Sequence, residues 1–249
     1  MIKQQRQDMI MKLLEAMGSI TLQELREQMG ISESTIRRDL TEMDAEGKLV
    51  KVFGGAMSIR REEMVMRELS VDEKGQVNVE EKKAIGRTAA ELIRTDDFVY
   101  NDAGTTTGCM LNFITQRGVT YVTNGVSHAK ELAGRGLHVI LLGGELKGTT
   151  EAVIGAQAVE MLSLFHFTKG FFGTNGITKK CGFTTPDSTE AMVKRMAVNQ
   201  CQSKFILADH SKFNEISAVT FCEFDRAVVI SDRVDYEEYR NISNLIIAK

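Results

Sequence analysis

From Val79 onward the chain alternates short apolar runs with amphipathic stretches, and most of the apolar runs end in loops rich in Gly, Thr and Asn. The runs are Phe98-Val99-Tyr100, Val119–Val122, Val139–Leu142, Gly170-Phe171-Phe172, Phe205-Ile206-Leu207, Ala227–Ile230 and Leu245–Ile247. Each is too short for a buried helix and suits a strand. Between them lie stretches of helical periodicity, the first marked by Ala84, Ile85, Ala89, Leu92 and Ile93, others at 127–133, 157–164 and 188–199, with a short helix near Tyr236. Strands apolar on both faces, alternating with helices, call for a parallel sheet covered on both sides, because a parallel neighbour needs a crossover connection. The fold class expected for residues 79–249 is therefore α/β.

In such a sheet, ligands bind outside the carboxyl ends of the strands. Asp102-Ala103-Gly104-Thr105-Thr106-Thr107-Gly108 runs straight into a helix. Glycine lets backbone amides approach an anion, the hydroxyls donate, and the helix N-terminus adds partial positive charge. The loop lacks the GK[ST] ending of a nucleotide P-loop, so a small phosphate ester suits it better than ATP. Taken alone, it is equally an N-capping turn. Thr123-Asn124-Gly125, Gly143-Gly144-Glu145 with Lys147 close behind, and Gly173-Thr174-Asn175-Gly176 follow the next strands, which predicts a polar crevice. Glu190 and Lys194 are spaced for an ordinary helix ion pair, and Asp209-His210-Ser211-Lys212 offers a cation and a hydroxyl.

Residues 1–59 have a different pattern. Residues 5–17 carry Met9, Ile10, Leu13, Leu14 and Met17 at helical spacing, and Thr21 with Glu24 is a capping box opening a second short helix. Gly30 ends it, and Ser32, read as the N-cap through its hydroxyl, opens a third with Ile36, Leu40 and Met43 on one face. Ser34, Arg37, Arg38 and Thr41, at i, i+3, i+4 and i+7, offer polar, cationic chemistry on the other side. Arg can pair with guanine and hydroxyls can hold phosphates in a DNA major groove, though an amphipathic surface helix has the same pattern. Its neighbours favour DNA. Two tightly joined helices are followed by an expected ribbon, Lys48–Phe53 and Ala56–Ile59 around Gly54-Gly55, which is the wing of a winged helix-turn-helix. Lys48 and Lys51 on that wing are candidate phosphate contacts, and Arg60 and Arg61 continue the run of cations. Residues 60–78 are charge-rich and read as a linker, part helical and part flexible.

Charge gives no global signal, since 31 Lys and Arg nearly balance 34 Asp and Glu, so DNA binding has to come from local placement. The four cysteines show no CxxC spacing and the four histidines no HExxH, so neither a metal, a cofactor nor a disulfide framework is expected. No apolar run approaches membrane-spanning length, and the expectation is a soluble cytoplasmic protein.

Thr35-Ile36-Arg37-Arg38-Asp39-Leu40 followed by Gly47-Lys48 and Gly54-Gly55-Ala56 resembles the N-terminal domain of the DeoR family of bacterial transcriptional regulators. The resemblance implies operator binding, usually as a repressor, through Ser34, Thr35, Arg37 and Arg38, with Asp39 a structural partner. It continues through Asp102-Ala103-Gly104-Thr105-Thr106-Thr107, Thr123-Asn124, Leu142-Gly143-Gly144, Gly173-Thr174-Asn175-Gly176, Glu190-Ala191 with Lys194, and Asp209 with Ser211-Lys212-Phe213, in the order of DeoR-family sensor domains. Those domains are similar in fold to ribose-5-phosphate isomerase and bind phosphorylated sugars. The resemblance implies that Gly104, Thr105, Thr106 and Thr107 hold the phosphate. Asp102, Thr123, Asn124, Lys147, Asn175, Glu190, Lys194 and Lys212 then complete the effector site. Gly182–Asp187 looks most like the fructose-operon repressors, implying fructose 1-phosphate, although lactose- and tagatose-pathway repressors share most of these residues.

The alternative is a sugar-phosphate isomerase with an appended DNA-binding domain, in which Glu190 or Asp102 would move the proton. Asn175 stands where the isomerases carry acidic residues and cannot shuttle a proton, so the expectation is a sensor and not an enzyme. One short recognition helix reads few bases, so a homo-oligomer on double-stranded operator DNA is expected.

Overall fold

A computed structural model describes residues 2–17, 19–58, 63–64, 70–240 and 242–249. Arg60 and Arg61 lie outside the described residues. The chain divides into two compact units, Met1–Arg61 and Glu62–Lys249.

The first unit contains α1 (Lys3–Met17), β1 (Ser19–Thr21), α2 (Leu22–Met29), α3 (Glu33–Ala45), β2 (Leu49–Val52) and β3 (Gly55–Ser58). Thr21 and Glu24 form the predicted capping box, and Gly30 closes α2 in the left-handed conformation at φ 64°. Ser32 occupies the N-cap of α3, but its hydroxyl makes no capping bond. It turns instead to the Ser34 and Thr35 hydroxyls, 3.1 and 2.9 Å away. Ile36, Leu40 and Met43 are fully buried against Ile10, Leu14, Leu25 and Leu49. The wing is a three-stranded antiparallel sheet in the order β1-β3-β2. Strand β1 was not legible in the sequence because three residues carry no period. Its approach explains Gly55, where a Cβ would stand 2.2 Å from the Ile20 carbonyl oxygen.

The second unit runs β4 (Glu63–Met64), α4 (Val71–Gly75), α5 (Val79–Ala90), β5 (Phe98–Asn101), α6 (Thr105–Leu111), β6 (Thr120–Thr123), α7 (Val126–Gly134) and β7 (His138–Leu141). It continues through β8 (Glu145–Lys147), β9 (Ala152–Ile154), α8 (Ala156–Ser163), β10 (Phe167–Gly173), β11 (Gly176–Thr178) and β12 (Gly182–Thr185). Then follow α9 (Ser188–Asn199), β13 (Cys201–Leu207), β14 (Glu215–Ile216), β15 (Val219–Cys222), β16 (Val228–Ser231) and β17 (Leu245–Ile247). Seven strands form a parallel sheet in the order β17-β16-β13-β10-β5-β6-β7. Successive side chains on a strand point to opposite faces. Accordingly Tyr100, Phe172, Ile206 and Val229 join one core cluster, while Val99, Phe171, Leu207 and Ile230 join another. This is the predicted sheet with two covered faces.

Two features depart from the sequence reading. The antiparallel pieces β8-β9 and β11-β12-β15 lie in stretches read only as loops. Within the expected linker, β4 is a strand that pairs with β14, while α4, with N-cap Ser70 in a capping box with Glu73, supplies the helical part expected there.

Candidate functional site

On α3, Ser34, Arg37, Arg38 and Thr41 are exposed on the side away from the core, as predicted. Arg37 is paired with Glu33 at 2.6 Å, one turn earlier, whereas Arg38 makes no ion pair among the described residues. Thr35 is half-buried, engaged with Ser32. The Thr41 hydroxyl donates to the Arg37 carbonyl at 2.7 Å and accepts from the Lys51 ammonium at 2.7 Å, tying wing to helix. Lys48 pairs with Glu46 at 2.6 Å, which holds the Glu46 carboxyl below its ordinary value. Asp39 is buried, gripped by Arg6 through bonds of 2.6 and 3.0 Å, so it supports the helix and does not face DNA. The wing is more apolar than its two lysines implied. Val50, Val52 and Met57 are exposed, and Phe53 at the turn is 109% exposed. The run Leu49-Val-Lys-Val-Phe53 carried that signal.

The second site follows from sheet topology. From β5 the sheet grows one way through β6 and β7, and the other way through β10, β13, β16 and β17. The chain therefore leaves in opposite directions at the carboxyl ends of β5 and β10, opening a crevice there. Asp102 closes its floor. Its N–H donates to the Phe171 carbonyl at 2.9 Å, and its carboxylate accepts from the Gly173 N–H at 3.0 Å and from the Lys194 ammonium. Burial pushes the Asp102 carboxyl above its ordinary value, against the opposing pull of Lys194 and of the Gly173 amide. Lys194 also donates to the Gly173 carbonyl at 3.2 Å and lies over the Phe221 ring.

Glu190 and Lys194 share a face of α9, yet each reaches a different partner. Glu190 accepts from the Thr150 hydroxyl at 2.6 Å and pairs with Lys147 at 3.2 Å, and Lys147 also reaches Asp187 at 2.9 Å. Thr123 and Asn124 brace the crevice from behind and do not line it. The Asn124 side-chain Oδ1 accepts from the Tyr100 hydroxyl and the Ala103 N–H at 3.1 and 2.8 Å, and the Thr123 hydroxyl accepts from the Gly125 N–H at 3.0 Å. Asn175 is half-buried, its side chain 3.4 Å from the Thr185 hydroxyl. Thr107 is fully buried, with its hydroxyl 2.7 and 2.9 Å from the Asp102 and Gly104 carbonyls. What the loop offers is backbone. The first bond of α6 runs from the Gly108 N–H to the Gly104 carbonyl at 2.8 Å, so the amides of Thr105, Thr106 and Thr107 precede the helical ladder.

A cleft of about 610 Å³ opens beside Gly104 and Thr105, between α4, α6 and α7. Two of its supports went unread in the sequence. His128 lines the cleft, with Nδ1 3.0 Å from the Asn101 amide and a hydrogen bond to the Gly104 backbone. Burial pushes its pKa down to about 4, so the ring is neutral at pH 7 and holds the Gly104 turn. A histidine whose folded pKa lies below the unfolded 6.5 contributes stability that is complete above 6.5 and is lost as pH falls through about 4. His128→Gln should flatten that limb of the pH–stability profile, measured by denaturant melts between pH 7 and pH 4; an unchanged limb would rule the histidine out as its source.

Lys82 is the other. It is buried, donates to the Lys74 carbonyl, and has its pKa lowered by burial and by Lys212, against the pull of Asp209. Asp209 accepts from Asn78 at 2.9 Å and from the Ser211 N–H at 3.0 Å. Burial opposes its ionisation, but Lys212, Ser211 and Asn78 hold its carboxyl below the ordinary value. Lys212 thus stands with Lys82 and Asp209, and the ammonium of Lys82 acts on Cys109, one helical turn from Thr105 on the cleft face of α6. The signal was available: Lys82, Ile85 and Ala89 put a cation on an apolar stripe. Among the described residues no group of three His, Cys, Asp or Glu could hold a metal ion, and no helix is long and apolar enough to cross a membrane.

Comparison with known families gives two matches: a DeoR-like helix-turn-helix domain over residues 6–62, and a DeoR C terminal sensor domain over residues 77–233. The chain belongs to the DeoR family. It is similar over its whole length to an uncharacterized HTH-type transcriptional regulator FruR from Bacillus subtilis, with 36% identity covering 100% of this chain and 98% of that one. It is also similar to a lactose phosphotransferase system repressor from Staphylococcus epidermidis, with 33% identity over 99% and 98% of the two chains. A structure of ribose 5-phosphate isomerase A from Methanocaldococcus jannaschii overlaps 53% of each chain at a TM-score of 0.40 and 10% identity. The DeoR-family assignment makes this a DNA-binding transcriptional regulator, and the relatives named above are regulators, not enzymes. The α3 face with Arg37 and Arg38 belongs to its helix-turn-helix domain, and the crevice to its sensor domain.

Proposed function

We propose that this DeoR-family regulator represses a sugar-utilisation operon and that a phosphorylated sugar, with fructose 1-phosphate as first candidate, lowers its operator affinity from the cleft beside Gly104. The phosphate sits on the amides of Thr105, Thr106 and Thr107, with Lys82 and Lys212 supplying charge; Asp102, Glu190, Lys147 and Lys194 shape the crevice behind. The observation that carries this reading is the start of α6 at the cleft wall, where the Thr105 amide precedes the helical ladder and the buried Lys82 ammonium, itself under the influence of Lys212, acts on Cys109 of the same wall. Like charges held together cost free energy that a bound dianion removes. The names of the relatives support a sugar-related operon. The regulator acts as a homo-oligomer with Arg37 and Arg38 of each copy on one operator half-site.

The test is a thermal-shift screen of the full chain against fructose 1-phosphate, fructose 6-phosphate, free fructose and inorganic phosphate. At a hundredfold excess over Kd a ligand stabilises by about 2.7 kcal/mol. The expected result is a shift with a sugar phosphate and none with free fructose. Lys212→Ala should weaken that binding by roughly 10- to 100-fold, the worth of a charged hydrogen bond. Stabilisation by free fructose alone, or an unchanged affinity in Lys212→Ala, would refute the site.

A further inference from the structure

We propose that α4 and the residue after it form the hydroxyl-reading wall of the effector cleft, so that a stretch the sequence reads as linker is itself ligand-binding. This rests on the sugar-phosphate reading above. Asp72 and Gly75 of α4, together with Gln76, face the cleft across from Gly104 and Thr105, and Glu131 of α7 lines it as well. The chemistry of these side chains suits the other end of a sugar phosphate. A carboxylate accepts bonds from vicinal hydroxyls, and a primary amide both donates and accepts. The same two carboxylates repel a phosphate, which fixes the ligand's direction, with its anion at the amides of α6 and its hydroxyls toward α4.

Helix α4 is suited to respond to such a ligand. It has no buried residue, so its position depends on polar anchors. The Val71 N–H donates to the Thr149 carbonyl at 3.2 Å, and Lys82 donates to the Lys74 carbonyl. Both anchors belong to the effector site: Thr149 precedes Thr150, which bonds Glu190, and Lys82 is a proposed phosphate partner. A ligand held by Lys82 at one end and by Asp72 and Gln76 at the other therefore changes the free energy of α4's placement. In the sequence, the residues that precede Ser70 lead to the DNA-binding unit. Occupancy of the cleft is thereby linked to the placement of α4.

The full chain and an Asp72→Ala/Gln76→Ala variant are titrated by calorimetry with fructose 1-phosphate, fructose 6-phosphate and inorganic phosphate, and hydrogen exchange is followed over residues 70–77. The expected result is at least a tenfold loss of sugar-phosphate affinity in the variant, with inorganic phosphate binding within twofold of the parent. In the parent, the sugar phosphate slows exchange over 70–77 more than inorganic phosphate does. An unchanged sugar-phosphate affinity in the variant overturns the α4 assignment and leaves the phosphate site standing. Loss of inorganic phosphate binding in the variant also overturns it, since it places α4 in the general stability of the cleft. A parent chain that binds none of the three probes overturns both readings.

Discussion

Arg38→Ala is expected to weaken operator binding by roughly 10- to 100-fold for each DNA-binding head engaged, because a well-placed bidentate Arg contact discriminates by about 1–3 kcal/mol. The loss multiplies in an oligomer, since two heads on one operator lose the contact twice. Arg38 is exposed on α3 with no ion pair among the described residues, so its guanidinium is available without breaking anything. Arg37 differs, being held by Glu33 through bonds of 2.9 and 2.6 Å. Exposed pairs of that kind contribute under about 1 kcal/mol, so Arg37 is released to DNA at small cost and Arg37→Ala should lose nearly as much. The net charge of −3 means that no diffuse positive field compensates. Operator titrations at several salt concentrations, with sugar-phosphate binding measured in parallel, provide the check. A wild-type operator affinity in both variants, or a joint fall in sugar-phosphate binding, would contradict the assignment of DNA reading to this face.

The second large effect is on stability. Lys194→Met should destabilise the sensor domain by about 3–5 kcal/mol, the cost of leaving one partner of a buried pair uncompensated. For a unit of this size that lowers the melting temperature by on the order of 10 °C. Asp102 is 1% exposed, and Lys194 is its only ammonium partner among the described ion pairs. The sign of the pH dependence follows from the direction of the Asp102 shift. Burial already raises its carboxyl above 3.8, and removing Lys194 raises it further, so the folded variant holds a proton that the unfolded chain releases. The deficit of Lys194→Met is therefore largest at neutral pH and shrinks as pH falls through the acid range. Asp102→Asn/Lys194→Met, which removes both charges, should recover part of the loss at pH 7. A single variant with an unshifted melting temperature would mean that the pair contributes nothing to the junction of β5, β10 and α9.

Much of this molecule was legible in local pattern. Seven apolar runs and the helices between them reappear as a seven-stranded parallel sheet with helical crossovers, because a strand buried on both faces must be apolar throughout. The α3 face was legible for the same reason: burying Ile36, Leu40 and Met43 leaves Ser34, Arg37, Arg38 and Thr41 on the other side. Two- and three-residue strands without an apolar run of their own were not legible. Strands β1, β4 and β14 are defined by the partner that approaches them, and no period exists over so short a span.

For the effector site the boundary is just as physical. Residue type and place along the chain already marked Asp102, the Gly104–Thr107 loop, Glu190 and Lys194 as polar groups at strand ends. What each one does was settled only when strands distant in sequence became neighbours. Asp102 and Lys194 are 92 residues apart and form a buried pair. Thr123, Asn124 and Thr107 direct their hydrogen-bonding groups into the scaffold, while His128 and Lys82, not among the predicted site residues, support the loop and the charge beside the cleft. Periodicity fixes which residues lie on a face, since it is a local property of the backbone. Burial, ion pairing and proton affinity depend on which other groups share the same few ångströms, and only the tertiary structure decided that.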